Sequence, residues 1–205
     1  PDLEALKAAV SERTAALMIT NPEDTGIFNP KIDEFVRIVH AAGGLCSYDQ
    51  ANANGILGIA RARDAGFDLC HFNCHKTFST PHACMGPAMG AIGVTQPLAK
   101  FLPVPRVEFD GQRYSLNYDG PESIGRVRSF FGNAPIVMRG YAWILQHGAD
   151  GLREAAECSV LNNNYMEKKL REVPGVTVRY ADGKRRLEQV RYSWEKLKED
   201  TGVGT

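Results

Sequence analysis

Short apolar runs alternate with polar and amphipathic stretches along the first hundred residues. Runs of strand length occupy residues 14–20, 45–49, 67–73 and 91–94. Between the first two runs, apolar residues recur at the spacing of one helix face: Ile32, Phe35, Val36 and Val39. Strands that alternate with helices predict an α/β fold with a parallel sheet covered on both faces.

The predicted helix between the first two strands has recognisable ends. Asn29 is a candidate N-cap, and Pro30 suits the first helical position. Gly43-Gly44 predicts the end of the helix.

The pattern changes beyond residue 97. Two prolines and the turn Asp110-Gly111 predict a hairpin, with residues 113–116 as its return strand. Two long helices are predicted from Asn133 onward, the second starting near Asp150 and ending before Pro174-Gly175.

A strand predicted at residues 176–180 would begin a smaller α+β domain. We therefore predict residues 1–132 as part of a large domain. Residues 133–205 are predicted as connecting helices and the incomplete start of the second domain.

Composition and charge exclude several classes of protein. The chain has 205 residues with 24 basic and 24 acidic side chains, so its formal net charge is zero. No electrostatic footprint for nucleic acid or an anionic membrane is present, and no apolar stretch has the length of a membrane span. Five cysteines, an odd number, predict reduced thiols in a cytoplasmic protein. The chain starts at Pro1 without a methionine, and we expect it to be a segment of a longer polypeptide.

Polar residues follow the ends of three predicted strands: Asn21, Asp49 and Lys76. Ligands of parallel sheets lie beyond the carboxyl ends of the strands, so these residues are candidate site residues. A lysine in this position suits a Schiff base with the aldehyde of pyridoxal phosphate (PLP). Asn73 and His75 could bind the phosphate of that cofactor, and two hydroxyl residues, Thr77 and Ser79, offer further donors.

PLP chemistry also needs a carboxylate that keeps the pyridine nitrogen protonated. Asp49 lies one strand–helix–strand unit before Lys76, which places the two residues on neighbouring strand ends. Ala51 is small enough to lie flat against the cofactor ring. By itself, a strand-end aspartate is more often a turn former or a helix cap.

The cysteines and histidines of residues 70–82 allow two other interpretations. A zinc site fits poorly, because Cys70 and Cys74 are four residues apart and no second ligand pair follows; we predict no metal. A nucleophilic cysteine would pair Cys74 with His75 or His82, but no oxyanion-stabilising pattern accompanies them.

The segment FDLCHFNCHKTFSTPH (67–82) closely resembles the cofactor-lysine motif of the glycine cleavage system P-protein family. Three further segments resemble neighbouring segments of that family: SYDQANANGILG (47–58), LMITNPEDTGIF (17–28) and residues 118–157. The resemblance covers nearly the whole chain. It implies a PLP-dependent transferase fold of type I, which is aspartate-aminotransferase-like.

The resemblance also implies roles for individual residues. Lys76 would carry PLP covalently, with Asp49 at the pyridine nitrogen and Ala51 against the ring. Asn73 and His75 would lie at the phosphate side, and three residues would border the substrate: Asn21, Asn52 and His82. The family's glycine run is replaced here by Ala83-Cys84-Met85, which puts the shape of that loop in doubt.

The implied reaction is the decarboxylation of glycine, with transfer of the aminomethyl group to the lipoyl group of H-protein. The resemblance favours the cofactor-binding second subunit of a two-subunit bacterial form, partnered by a homologous first subunit. One alternative is another fold type I enzyme, such as an amino-acid decarboxylase, aldolase or desulfurase. A second alternative is a catalytically silent homologous subunit. The presence of both Lys76 and Asp49 argues against it.

Overall fold

A computed structural model describes residues 1–80, 86–130, 132–180 and 183–204 of the chain. The strands are β1 (Ala16–Thr20), β2 (Leu45–Gln50), β3 (Leu69–Asn73), β4 (Gly90–Val94), β5 (Arg106–Phe109), β6 (Tyr114–Asn117), β7 (Thr177–Val178) and β8 (Tyr192–Ser193). The helices are α1 (Leu3–Ala9), α2 (Ile32–Ala41), α3 (Cys74–Thr77), α4 (Ala134–Leu170) and α5 (Glu195–Thr201). No helix of these residues is long and apolar enough to cross a membrane.

The main sheet has the strand order β1-β2-β3-β4. The first three strands are parallel, which confirms the predicted α/β fold, and β4 pairs antiparallel with β3. Helix α3, with only four residues, is the one helix that the described residues show between β3 and β4. A parallel β4 would need a crossover that returns along the whole sheet, usually through a longer helix. The sheet is therefore mixed, with β4 as its antiparallel strand, which agrees with the mostly parallel sheet expected of the large domain.

One face of the sheet packs against α2 and forms the main core. Cys46 and Tyr48 of β2 are buried there, and the ring of Tyr48 stacks on Phe67 at 4.5 Å between centroids. The α2 side of this core contains the residues Ile32, Val36 and Val39. Because side chains alternate along a strand, Ser47 and Asp49 point to the opposite face. The core thus directs Asp49 away from α2.

Helix α2 begins later than predicted. Its first residue is Ile32 and its N-cap is Lys31, so the predicted cap at Asn29 and the first position at Pro30 are wrong. Asn29 is held instead by Asn21, whose Oδ1 accepts from the Asn29 amide at 2.8 Å and whose Nδ2 donates to the Asn29 carbonyl at 3.2 Å. This pair fixes Asn29 in the loop before the helix.

The second half of the described chain follows most of the predicted pattern. Strands β5 and β6 form the predicted hairpin. Helix α4 contains a non-helical residue, Gly148 (φ 61°, ψ −171°), where the boundary between two helices was predicted. Only Thr177–Val178 of the predicted strand at 176–180 pairs in a sheet.

Residues 186–189 return to the loop that follows β1. The Leu187 amide donates to the Gly26 carbonyl at 2.7 Å, and the Gln189 side chain donates to the Glu23 carbonyl at 3.1 Å. Asn164 of α4 donates to the Arg186 carbonyl at 2.6 Å. The contacts of Leu187 and Gln189 cross the predicted boundary at residue 132, and the division into two domains stays a prediction.

Substituting Gly26 with alanine should destabilise the protein far more than the same change at Gly43. Both glycines have positive φ (77° and 82°), so each alanine costs about 1–2 kcal/mol of backbone strain. A Cβ on Gly26 would lie 1.8 Å from the carbonyl oxygen of Gln189, whereas a Cβ on Gly43 meets nothing within 4 Å. The clash adds roughly 1–3 kcal/mol. Urea unfolding of both variants measures the difference, and equal losses of stability would contradict this contact.

Candidate active site

The candidate site lies where the parallel strands β2 and β3 end. Asp49 is the next-to-last residue of β2, and Lys76 lies on α3, which begins directly after β3. β2 and β3 are neighbours in the sheet, so the structure brings the two segments to one edge, as predicted. The Lys76 side chain is exposed, which leaves its amine accessible.

The Asp49 carboxylate is held on one of its two oxygens. Its Oδ1 accepts a hydrogen bond from the Ala51 amide at 2.9 Å and lies 3.4 Å from Nδ1 of His71. In the part of the chain that the structure describes, Oδ2 has no hydrogen-bond partner. Oδ1 is therefore held in place, and Oδ2 is available to accept a hydrogen bond.

A buried hydrogen bond joins the segment after β2 to the turn that carries the lysine. The Ala53 amide donates to Oγ1 of Thr77 at 2.9 Å, and both residues are buried. Thr77 was predicted as a possible phosphate donor. Its hydroxyl oxygen accepts this backbone bond, and the donor role of its O–H stays a prediction. The contact sets the position of Lys76 relative to Asp49 and Ala51.

Two further contacts support the turn that carries Lys76. Thr80 donates a hydrogen bond to the Cys74 carbonyl, which closes the turn around Lys76. The Phe78 ring packs edge-on against Trp143 of α4, with 6.5 Å between centroids. A Cβ built on Gly140 would lie 3.5 Å from Cβ of Phe78, so this glycine lets α4 approach closely.

Asn73 and His75 flank the same turn. Asn73 occupies the N-cap position of α3, and its side chain makes no capping hydrogen bond. Nδ1 of His75 lies 3.2 Å from both the amide nitrogen and the carbonyl oxygen of Met89, which fixes the ring. A cavity of about 730 Å³ is lined by Met89, which His75 contacts, and by Gly90, which pairs with Asn73 in the sheet. Their predicted place at a phosphate stays a prediction.

The three predicted substrate residues have different outcomes. Asn21 is buried, and its amide holds Asn29, so the structure shows a structural role for it. The Asn52 side chain accepts from the Asn54 amide at 3.0 Å in a local turn. His82 lies outside the described residues, as does the predicted departure at residues 83–85. The substrate roles of all three stay predictions.

The donor set fits the predicted cofactor. An exposed lysine amine can condense with an aldehyde, and an aspartate with one available oxygen can face a protonated ring nitrogen. Ala51, half-buried after β2, presents a small side chain beside the carboxylate. These three residues could therefore hold PLP through a covalent bond, an ionic contact and packing against its ring.

A metal-binding interpretation has little chemical support. Among the described residues, one group of potential ligands lies close together: His40, Cys46 and Asp68. One oxygen of Asp68 already accepts from the Cys46 amide at 2.7 Å and lies 2.8 Å from Nε2 of His40. Burial, together with the charge of Asp68, raises the pKa of Cys46 to about 11, which disfavours the thiolate that a metal needs.

Two contacts at the site were not predicted from the sequence. His71 pairs with Asp49 in the β2–β3 register, and Thr77 binds the Ala53 amide. The sequence does contain a signal for His71. It lies two residues before Asn73 on β3, and residues two apart on a strand share a face. The Thr77 contact joins residues 24 positions apart and has no local signal.

Replacing Thr77 with valine should destabilise the protein by about 2 kcal/mol, because the buried Ala53 amide loses its acceptor. Thr77→Ser keeps the hydroxyl and is the matched control. Denaturant unfolding monitored by circular dichroism measures both variants. Equal stability of the valine and serine variants would rule out the hydrogen bond as the cause.

Cys46 should resist alkylation that rapidly modifies Cys158. Cys46 is buried and burial raises the pKa of its thiol to about 11, whereas Cys158 is exposed. Iodoacetamide labelling of the folded protein, followed by peptide mass spectrometry, compares the two rates. In denaturant the two cysteines should react alike; equal rates in the folded protein would contradict the structure.

Comparison with known sequences shows close relatives that share one name. The chain is 50% identical over 206 residues to a probable glycine dehydrogenase (decarboxylating) subunit 2 of Pyrococcus abyssi, covering 100% of the chain and 41% of the relative. The corresponding protein of Caldanaerobacter subterraneus is 54% identical over 170 residues, covering 83% of the chain and 35% of the relative. That of Treponema denticola is 48% identical over 202 residues, covering 98% and 41%. No family model matches the chain.

Comparison with solved structures shows the fold. A crystal structure of glycine decarboxylase (P-protein) of the glycine cleavage system matches with a TM-score of 0.68 at 22% identity, covering 86% of this chain and 42% of that one. The cysteine desulfurase CsdA of Escherichia coli matches with a TM-score of 0.65 at 18% identity, covering 100% and 48%. The fold is therefore that of the type I PLP-dependent enzymes. Because about half of its residues are identical over its whole length, this chain is a homologue of glycine dehydrogenase (decarboxylating) subunit 2, and it spans about two fifths of the length of those relatives.

Proposed function

We propose that this chain is the lysine-bearing part of a PLP-dependent glycine dehydrogenase (decarboxylating). The observation that carries the proposal is the identity of 48–54% to proteins of that name. The reaction would remove carbon dioxide from glycine and pass the aminomethyl group to the lipoyl group of H-protein. The positions of Lys76 and Asp49 at neighbouring strand ends support the same assignment.

The proposal assigns a separate task to each residue of the site. When bound, PLP supplies an aldehyde that condenses with amines and a pyridinium ring that takes up the electrons released on loss of carbon dioxide. Lys76 holds the cofactor through its Nζ. Asp49 would hold the protonated ring nitrogen through Oδ2, while Oδ1 accepts from the Ala51 amide. Ala51 would pack against the ring.

Lys76 also has a second task as a proton carrier. When it is not bound to the cofactor, its exposed amine would be available at the site. The short turn that carries it is held by the Thr77–Ala53 hydrogen bond and by Phe78 against Trp143. A positioned amine of this kind can donate or accept the proton that the reaction moves.

The proposed partners follow from the same relatives. We place the protein in a two-subunit enzyme, because the relatives are named as second subunits. Its companion would be the homologous first subunit, and the lipoyl arm of H-protein would reach the edge of the sheet at Lys76. The odd number of cysteines supports a cytoplasmic location.

The fold alone does not select this reaction. A cysteine desulfurase and a sphingosine-1-phosphate lyase share the fold at TM-scores of 0.65 and 0.55. Function depends on the residues placed on a fold, and here the close sequence relatives favour glycine dehydrogenase. A silent subunit is disfavoured, because Lys76 and Asp49 are both present and lie at neighbouring strand ends.

Borohydride reduction should attach PLP permanently to Lys76 and to no other lysine. The protein, expressed with the first subunit, is incubated with PLP, reduced and mapped by peptide mass spectrometry. Lys76→Ala should abolish both the label and the visible absorption band of the bound cofactor. Lys100→Ala is the control, because Lys100 is also exposed but pairs with Glu122 on the surface.

The reaction itself is tested by exchange of labelled carbon dioxide into the carboxyl group of glycine. Exchange that requires lipoylated H-protein and is lost in Lys76→Ala is the expected result. Labelling of Lys76 without such exchange would point to another fold type I reaction. A wild-type protein that binds no PLP in the presence of the first subunit would overturn the proposal.

A further inference from the structure

His71 lies beside the candidate cofactor carboxylate, on the face of the sheet that carries it. In the parallel pairing of β2 and β3, Asp49 is in register with His71. Paired residues of neighbouring parallel strands point to the same face, so the two side chains meet. Nδ1 of His71 lies 3.4 Å from Oδ1 of Asp49, with side chains 40% and 29% exposed.

The opposite neighbour of Asp49 makes no such contact. On the β1 side, Thr20 is in register with Asp49. Among the described residues, Thr20 makes no hydrogen bond to the Asp49 side chain. Oδ1 is thus approached by the Ala51 amide within its own strand end and by His71 across the sheet. Both approaches restrict the same oxygen.

We propose that His71 is a positioning residue that orients the Asp49 carboxylate, so that Oδ2 faces the ring nitrogen of PLP. This inference rests on the proposed function. The Ala51 amide alone leaves the carboxylate able to rotate about its terminal bond, because one hydrogen bond to Oδ1 defines a point and not a plane. A second donor at Oδ1 restricts that rotation. Contacts of this length at catalytic sites commonly tighten when the ligand binds.

His71 acts only through Asp49. It is therefore not one of the residues proposed to touch the cofactor. By holding Oδ1, His71 would leave Oδ2 to face the ring nitrogen. The effect of His71 should therefore depend on the presence of a nitrogen in the ring.

The test compares PLP with its analogue in which a carbon replaces the pyridine nitrogen. The protein is used with its first subunit, and dissociation constants are measured by calorimetry for wild type and variants. His71→Phe keeps a ring but removes the donor, and it should weaken PLP binding about tenfold while changing analogue binding less than about twofold. His71→Asn places an amide donor near the position of Nδ1 and should restore most of the PLP affinity.

The outcomes separate this inference from the proposed function. A wild type that binds neither compound overturns both. A wild type that binds both equally, with Asp49→Asn unchanged, refutes the role of Asp49 and with it that of His71. If wild type prefers PLP but His71→Phe retains that preference, or loses affinity for both compounds equally, His71 is not a positioning residue.

Discussion

The parallel pairing of β2 with β3 is the constraint on which the candidate site depends. It places Asp49 in register with His71 and brings the end of β2 next to the turn that carries Lys76. The register is set by burial, because Cys46 and Tyr48 face α2 and the core. A shift of one residue would turn Asp49 toward the helix and bury an unpaired carboxylate. Core packing and the geometry of the site are therefore coupled.

The turn around Lys76 is held by contacts that do not involve the lysine itself. Thr77 binds the Ala53 amide, Thr80 binds the Cys74 carbonyl, and Phe78 packs against Trp143. The amine is consequently presented on a rigid support while it remains exposed. A support of this kind lets a lysine leave and rejoin a cofactor without moving the backbone.

Enzymes with different reactions share this fold, because the fold positions the site and individual residues select the reaction. The same architecture is found in glycine decarboxylase and in a cysteine desulfurase, at TM-scores of 0.68 and 0.65. In this chain the architecture brings a strand-end carboxylate and a lysine to one edge of the sheet. Such groups would serve the proposed cofactor rather than one substrate. Specificity must come from other residues, and over its whole length the chain is 50% identical to a probable glycine dehydrogenase (decarboxylating) subunit 2.

The sequence by itself determined the order of the main elements, the strand-end positions of Asp49 and Lys76, and the homology of the chain. These are local properties: hydrophobic periodicity and short motifs need no knowledge of distant contacts. Local signals failed at the start of α2, because Asn21 holds Asn29 through a contact eight residues away.

Only the tertiary structure decided the antiparallel direction of β4, the Ala53–Thr77 bond and the meeting of Asp49 with His71. Each of these depends on the direction or register of pairing between separate segments. Many pairings satisfy the same local pattern, and the one observed is selected by burying the α2 face of the sheet.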